Sequence, residues 1–510
     1  MTLKQQIKNE IIFALNAQKI DFNESDLIIE NPKHDNQGDY ATTLCFKLAK
    51  TLKTNPKLLA EKISKHQSKI CRFNALNGFL NIHLNDEFLY QKELKLKIKQ
   101  SKGKKILLEY ISANPTGPLH IGHARWAALG SCLANILKEN GHDVIEEFYI
   151  NDAGEQVNNF YKSIKAIQEN KTIPENGYHG EYMNKLALAT QDPLEKNIED
   201  QKKILKKINC TIPSWFSEKS LHENNAVTHC IEELMKKGVT YKKEGALWFK
   251  SSEFGDDKDR VLIKSDQKLT YFAVDIAYHQ TKCQRNIETM INIWGADHHG
   301  YIARVRAALI ALNGQQYQSK EKFNVILGQL VSLKQNGEQL KMSKRAGTMI
   351  TLEEVYNEIG SDAIRYFLCQ SQANSHLEFD LDLAKAQNSE NPVYYIQYAH
   401  ARITQLLNQV NFKNAQTNIM EKSHPSERKL LLHCHQFQEQ CKQAATLLSP
   451  SHLCQYTYEL AKYFHAFYEN CPILKAPEAL KQQHLSSVKK CQETLVKCLT
   501  ILGISAPNKM

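Results

Sequence analysis

The stretch from Ile106 to Ile150 constrains the fold more than any other part of the chain. Ile106 to Tyr110 is an apolar run suited to burial on both faces, and the turn Asn114-Pro115-Thr116-Gly117-Pro118 breaks it. A helical pattern then runs from about His120 to Glu139 and stops before Gly141, and Val144 to Ile150 reads as a second strand. Strand, tight turn, helix and strand make a βαβ unit, whose stable solution is a right-handed parallel crossover. Any phosphate chemistry belongs at the N-terminus of that helix, where unpaired N–H groups and the helix dipole favour an anion.

That N-terminus carries His120, Gly122 and His123, an H-x-G-H string. Given 20 His and 21 Gly in 510 residues, chance supplies roughly 0.03 such strings. Two imidazoles three residues apart share a helix face, and Gly122 leaves room for a nucleotide ring to approach the backbone. Far downstream, Lys341-Met342-Ser343-Lys344-Arg345 precedes Ala346-Gly347-Thr348. Lysines on a Gly-bearing loop can reach a triphosphate and offset the charge that grows as pyrophosphate leaves. Taken singly, the histidines also fit a structural pair and the lysines a solvated basic loop.

Around this centre the chain divides into three. Residues 1–100 read as a small α+β unit: Ile7, Ile11 and Leu15 form a helical stripe, Asn55-Pro56 caps a second helix, and Phe79 to Leu84 is a strand. Lys92 to Gly103 reads as a linker. Residues 104–372 hold the βαβ unit, a Lys/Glu-rich helical insertion over about 160–245, and sheet-like signals at Ala246–Phe249, Val261–Ile263, Tyr271–Val274 and Met290–Trp294. From 373 to 510 long amphipathic helices take over, with Ile396, Ala399, Ile403, Leu406, Leu407 and Val410 on one face and Val488, Cys491, Leu495, Cys498 and Leu502 on another. The expectation is an α/β multidomain protein with an all-α bundle at its C-terminal end.

Composition removes other classes. The apolar share of 42% and charged share of 24% are those of a soluble globular protein. No apolar run approaches the ~20 residues of a bilayer span, and the N-terminus has no signal-like apolar stretch, so the expectation is a cytoplasmic chain with no membrane partner. Thirteen cysteines without one C-x-x-C spacing argue for reduced thiols and against a thiolate zinc ribbon. His433, Cys434 and His435, with Cys441 beyond, point in different directions on a helix, and no metal is expected. Residues 1–105 carry a net +8, residues 380–510 a net +4 and the middle a net −2. Basic ends around a near-neutral body suit a polyanion gripped at two places, although Lys-rich helices can simply have solvated faces.

At this point the sequence resembles a known family. ANPTGPLHIGHAR and KMSKR are similar to the two signatures of class I aminoacyl-tRNA synthetases, which make aminoacyl-adenylates on a Rossmann-type parallel sheet. GDYATTL, INDAGEQV, FGDDKDRVLIKSD, YFAVDIAYH, IWGADHHGYIARVRAAL, ENPVYYIQYAHARI and ILGISAPNKM resemble the arginyl-tRNA synthetase family and run nearly the whole length, 160–230 being the least distinctive. Many members lose the lysine signature that this chain keeps.

The resemblance implies a Rossmann-type catalytic domain, an N-terminal domain that contacts tRNA, and a C-terminal bundle that reads the anticodon. It implies ATP as substrate with Mg2+ accompanying it, L-arginine and its tRNA as partners, a monomer, and adenylate formation that depends on bound tRNA. His120, His123, Lys341 and Lys344 would be catalytic. Pro115, Gly117, Gly122, Asp297, Met342 and Ser343 would join them around ATP. Glu109, Ser112, Asn114, Tyr271, Asp275 and His299 would hold arginine. Carboxylates suit a guanidinium, and Glu109 closes the first strand, where ligands of open parallel sheets bind. For Glu109 the bland alternative is a salt bridge to a nearby Lys, and for Tyr271 a buried core aromatic. The roles of Asp152 and Gln156 stay open. The rivals are another class I synthetase such as the cysteine enzyme, a smaller H-x-G-H nucleotidyltransferase, and an inactive tRNA-binding paralogue.

Overall fold

The computed structural model describes residues 2–32, 37–90, 103–340, 350–410 and 423–510. The lysine signature, Lys341, Met342, Ser343 and Lys344 included, and most of the expected linker lie outside the described residues.

In the N-terminal part β1 (Tyr40–Thr42), β2 (Cys71–Leu76) and β3 (Phe79–Leu84) form an antiparallel sheet with β3 in the middle. The helix Leu3–Ala17 lays the predicted stripe Ile7, Ile11 and Leu15 into its core, and Asn55 caps the helix Pro56–Ser64 as expected.

The central sheet begins with β4 (Lys105–Glu109), β5 (Asp143–Ile150) and β6 (Ser214–Ser217). After the small antiparallel sheet of β7 (Thr240–Lys243), β8 (Ala246–Phe249) and β9 (Arg260–Ile263), it resumes with β10 (Thr289–Gly295) and β11 (Phe323–Gly328). All its pairings are parallel, in the order β11-β10-β4-β5-β6. The chain starts in the middle, builds one way through β5 and β6, then returns to build the other way through β10 and β11. Between β4 and β10 the winding reverses, so a crevice opens there beyond the carboxyl ends of the strands. The helix Ile121–Glu139, almost wholly buried, closes the β4–β5 crossover. Gly130 lets it touch the strand: a Cβ there would stand 2.2 Å from Tyr110 Cγ.

Two expectations need correction. Tyr271 to Val274 is not sheet but the first turn of the helix Tyr271–Gln284, capped by Thr270, whose side chain accepts from Ala273 N–H. A short β-prone run reads either way by pattern, and the cap decides it. The stretch 160–245 is likewise not a plain insertion, because β6 within it pairs with β5 as a strand of the central sheet.

Beyond β12 (Val331–Gln335), β13 (Glu338–Gln339) and β14 (Leu377–Asp380), the C-terminal part is a bundle that includes Pro392–Asn408, Ser451–Asn470 and Glu478–Leu502. Val488, Cys491, Leu495, Cys498 and Leu502 are buried in its core as the stripe required. Arg365 ties the bundle to the end of the helix Pro193–Lys207: fully buried, it donates to the carbonyls of Leu502 (2.6 Å) and Ile208 (3.0 Å). The N-terminal part docks on the bundle. Arg428 grips Asp39 with two 2.7 Å bonds and also donates to Leu84 O, while Leu431 of the bundle belongs to the N-terminal core.

Candidate functional site

The crevice between β4 and β10 collects the predicted residues of the described chain. His120 is the N-cap of the helix Ile121–Glu139, and the cap is reciprocal: His120 Nδ1 accepts Gly122 N–H at 3.1 Å and His123 Nδ1 accepts His120 N–H at 3.3 Å. An imidazole that accepts through Nδ1 carries its proton on Nε2, so each ring can present a donor of the kind a phosphate oxygen takes. The rings stack with centroids 3.7 Å apart, on one face as the spacing required. Gly122 has a nearer reason to be glycine than a nucleotide: a Cβ would meet the His120 ring at 2.9 Å.

The turn before the helix is held from outside. Asn197 donates to the carbonyls of Pro115 (2.7 Å) and Gly117 (3.0 Å), Gln201 to those of Asn114 (3.1 Å) and Gly117 (2.8 Å), and the Tyr182 hydroxyl to that of Thr116 (3.1 Å). Asn197 and Gln201 are buried on the helix Pro193–Lys207, in the stretch whose sequence looked featureless. A polar residue recurring every fourth position on a buried face was the signal available.

Thr351 forms a bridge with His120, and Leu352 N–H donates to Leu119 O at 2.7 Å. The chain that leaves the lysine signature therefore returns directly beside H-x-G-H.

On the floor of the crevice the backbone turns sharply after β4. Ile111 and Ser112 both adopt positive φ (71° and 41°), and Ser112 N–H closes a tight loop onto Tyr110 O at 3.0 Å. For a β-branched residue this conformation is strained, by about 1–3 kcal/mol. It turns Ser112 back so that its hydroxyl donates to Glu109 Oε1 at 2.8 Å. Glu109 Oε2 accepts from the fully buried Lys282 at 2.5 Å. The bland alternative for Glu109, a salt bridge, is thus correct, and it sits inside the candidate site. Tyr271 is the reverse case: 62% exposed, it is no core aromatic, and it lies one helical turn before Asp275 at the mouth.

Asp275 accepts from the Tyr301 hydroxyl at 2.5 Å. Its carboxyl is pushed up to about 7, chiefly by burial; the charges of Glu109 and Glu218 push the same way, and the Tyr301 hydroxyl and Lys282 oppose them. Glu218, which the sequence reading overlooked, is buried at the end of β6, accepts from the Tyr149 hydroxyl at 2.7 Å, and is itself raised by burial. Asp152 now has a role: it accepts from Ser217 Oγ (2.5 Å) and Lys219 N–H (2.9 Å), fixing the residues either side of Glu218. Gln156 stands exposed in the first turn of the helix Glu155–Gln168. Asp297 and His299 are exposed just beyond the end of β10, on the strand next to β4, and Asn114 is exposed on the turn.

Charge balance separates the carboxylates. Glu109 is paired with Lys282, and Glu147 takes both Arg285 nitrogens at 2.6 and 3.0 Å. Among the described residues, Asp275 and Glu218 have no Lys or Arg ion pair. The crevice thus offers donors of the kind a polyphosphate takes and two carboxylates, Asp275 and Glu218, without a Lys or Arg ion pair among the described residues. Elsewhere, His433 Nε2 bonds Tyr456 O at 3.1 Å and His435 Nε2 bonds Leu89 O at 2.8 Å. No described helix is long and apolar enough to cross a membrane.

Three family models match the chain: "Arginyl tRNA synthetase N terminal domain" over residues 1–84, "tRNA synthetases class I (R), catalytic domain" over 85–178 and 181–405, and "DALR anticodon binding domain" over 396–510. The chain is 39% identical to arginine-tRNA ligase 1 of Halalkalibacterium halodurans over 100% of its own length and 99% of that protein's. It is 40% identical to the arginine-tRNA ligase of Carboxydothermus hydrogenoformans over 94% of each. A crystal structure of a putative arginyl-tRNA synthetase from Campylobacter jejuni aligns with a TM-score of 0.74 at 34% identity, covering 81% of this chain and 95% of that one. Thermus thermophilus arginyl-tRNA synthetase aligns over all of both chains with a TM-score of 0.80 at 22% identity, a likeness of fold.

Proposed function

Because the chain belongs to the class I arginyl-tRNA synthetases and so joins arginine to its tRNA using ATP, we propose that arginine lies with its guanidinium between Asp275 and Glu218 and its ammonium toward Glu109, Ser112 and Asn114. The carrying observation is the charge balance: a guanidinium needs planar acceptors, and among the described residues Asp275 and Glu218 have no Lys or Arg ion pair, Glu218 having only His222 at 4.0 Å. Tyr271 at the mouth would cover the ligand's side chain, and His299 would complete the rim.

This orientation turns the α-carboxylate toward the helix N-terminus. There it attacks the α-phosphorus of ATP, the bond to the bridging oxygen breaks, and pyrophosphate leaves with that electron pair. No covalent enzyme intermediate is needed, so the catalytic work is positioning and charge stabilisation. His120 and His123 would donate to phosphate oxygens from Nε2, with the turn at Pro115 and Gly117 and the carboxylate of Asp297 beside the nucleotide. Lys341 and Lys344, with Met342 and Ser343 between them, would neutralise the departing pyrophosphate. The return of the chain at Thr351 beside His120 supports that placement. Magnesium would enter bound to ATP, and the exposed Asp297 carboxylate offers the oxygen chemistry such an ion takes.

The arginyl group then passes to the 2′-hydroxyl of the terminal adenosine. We further propose that the enzyme is a cytoplasmic monomer; its thirteen cysteines are all free thiols, as a reducing compartment keeps them.

Pyrophosphate exchange should appear only with arginine, ATP and tRNA together. Exchange with cysteine, or with none of twenty amino acids, would overturn the assignment. His123→Ala should lower turnover by orders of magnitude and leave tRNA binding nearly intact, whereas equal loss of both would mark a purely structural histidine.

A further inference from the structure

Lys282 is fully buried, an expensive place for an ammonium unless its hydrogen bonds are met. Here all its directions are used. It donates to Glu109 Oε2 at 2.5 Å and to Asn292 Oδ1 at 3.3 Å, and it lies 4.2 Å from the centroid of the Tyr278 ring. The network continues past it. Asn292 Nδ2 donates to His279 Nε2 at 2.9 Å, and His279 Nδ1–H donates to the Asp275 carbonyl at 2.9 Å. That pattern requires a neutral imidazole, and burial together with the nearby Lys282 charge holds His279 well below its ordinary range. Asn292 is fully buried and sits opposite Glu109 across the β10–β4 pairing.

One unbroken chain of hydrogen bonds thus runs from the Glu109 carboxylate on β4, through β10, to the backbone of the residue that carries the second arginine-facing carboxylate. A buried ion pair is not needed for packing, since apolar residues of similar volume usually serve stability as well or better. Its use must lie in what it orients.

We propose that Lys282 is a positioning residue of the arginine site: it fixes the Glu109 carboxylate so that the oxygen bonded to Ser112 faces the ligand, and it sets the distance between Glu109 and Asp275. Lys282 touches no substrate. It acts through Glu109, and the inference rests on Glu109 being an arginine ligand.

The test compares Glu109→Gln, Lys282→Met and the double variant in the tRNA-dependent exchange assay, with KM for arginine and for ATP and the melting temperature as readouts. Lys282→Met should raise the arginine KM by roughly 10- to 100-fold, the order of loss that a misplaced binding group causes, with the ATP KM within about threefold. The double variant replaces the ion pair by a neutral pair of similar size and should fold even where Lys282→Met alone does not. Its arginine KM should lie within about threefold of that of Glu109→Gln, because a residue acting only through Glu109 has nothing left to orient. A double variant whose losses multiply, or a Lys282→Met enzyme whose arginine and ATP KM rise together with a falling melting temperature, overturns the proposal. Should Glu109→Gln leave the arginine KM unchanged, the arginine placement itself fails, and that result differs from one in which Glu109→Gln raises KM and Lys282→Met does not.

Discussion

Arginine binding should be coupled to release of a proton from Asp275. Without ligand the Asp275 carboxyl sits at about 7, held up by burial and by the charges of Glu109 and Glu218. A guanidinium bound there favours the ionised form, so below that value arginine must displace a proton. The apparent Kd then scales as one plus ten to the power (7 − pH), about 11-fold above its plateau at pH 6 and about 1.1-fold at pH 8. The folding sign runs the other way. The free enzyme holds this carboxyl above its ordinary 3.8, so Asp275 opposes folding increasingly as pH rises from about 4 to about 7. Bound arginine removes that penalty, and the rise in melting temperature on adding arginine should be larger at pH 8 than at pH 5.5.

Isothermal calorimetry reads both quantities. Titrations in two buffers of different ionisation enthalpy at pH 6 should give about 0.9 proton released per arginine, and about 0.1 at pH 8. Glu218→Gln removes one of the charges that raise Asp275 and should shift the midpoint downward whatever it does to the plateau. A Kd that stays flat from pH 5.5 to 8, or proton uptake on binding, would refute the placement of the guanidinium on an ionised Asp275.

Two other outcomes follow from the positioning elements. Asn197→Ala takes the Asn197 donor from the Pro115 carbonyl and leaves the Gly117 carbonyl with Gln201, at a cost of about 1–3 kcal/mol for a buried group. It should lower kcat/KM for ATP by roughly 5- to 100-fold with arginine binding unchanged by calorimetry; an equal loss for arginine would show that the turn serves more than the nucleotide. Removing residues 1–84 should weaken tRNA affinity and its salt dependence, as a lost basic domain must, but should also lower solubility and the melting temperature, because Leu431 is buried in the N-terminal core. A truncated chain as soluble and stable as the full one would contradict that docking.

Local signals carried far. The strand, turn and helix around Asn114-Pro115-Thr116-Gly117-Pro118 were legible because each is written in neighbouring residues, and so was the stacked pair His120 and His123, since helical spacing alone puts both on one face. Where two local readings competed, the sequence pattern did not decide. Tyr271 to Val274 fits strand and helix alike until Thr270 caps it, and Ser214–Ser217 is too short to announce a sheet strand. Glu109 was chosen for its place at a strand end, and the structure adds that its charge is already matched by Lys282, which lies 173 residues away.

By itself, then, the sequence pointed to the chemistry: which groups are proposed to face phosphate, which family the chain resembles, and where the first strand and helix begin, all of which depend on residues within a turn or two of one another. Only the tertiary structure decided how the carboxylates divide their work. Pairing Glu109 with Lys282 and Glu147 with Arg285, while leaving Asp275 and Glu218 without a Lys or Arg ion pair among the described residues, depends on contacts between β4, β5, β6 and the helix Tyr271–Gln284. Burial strengthens a charge interaction and makes an unmatched charge costly, and burial at such a junction exists only once distant segments have packed together.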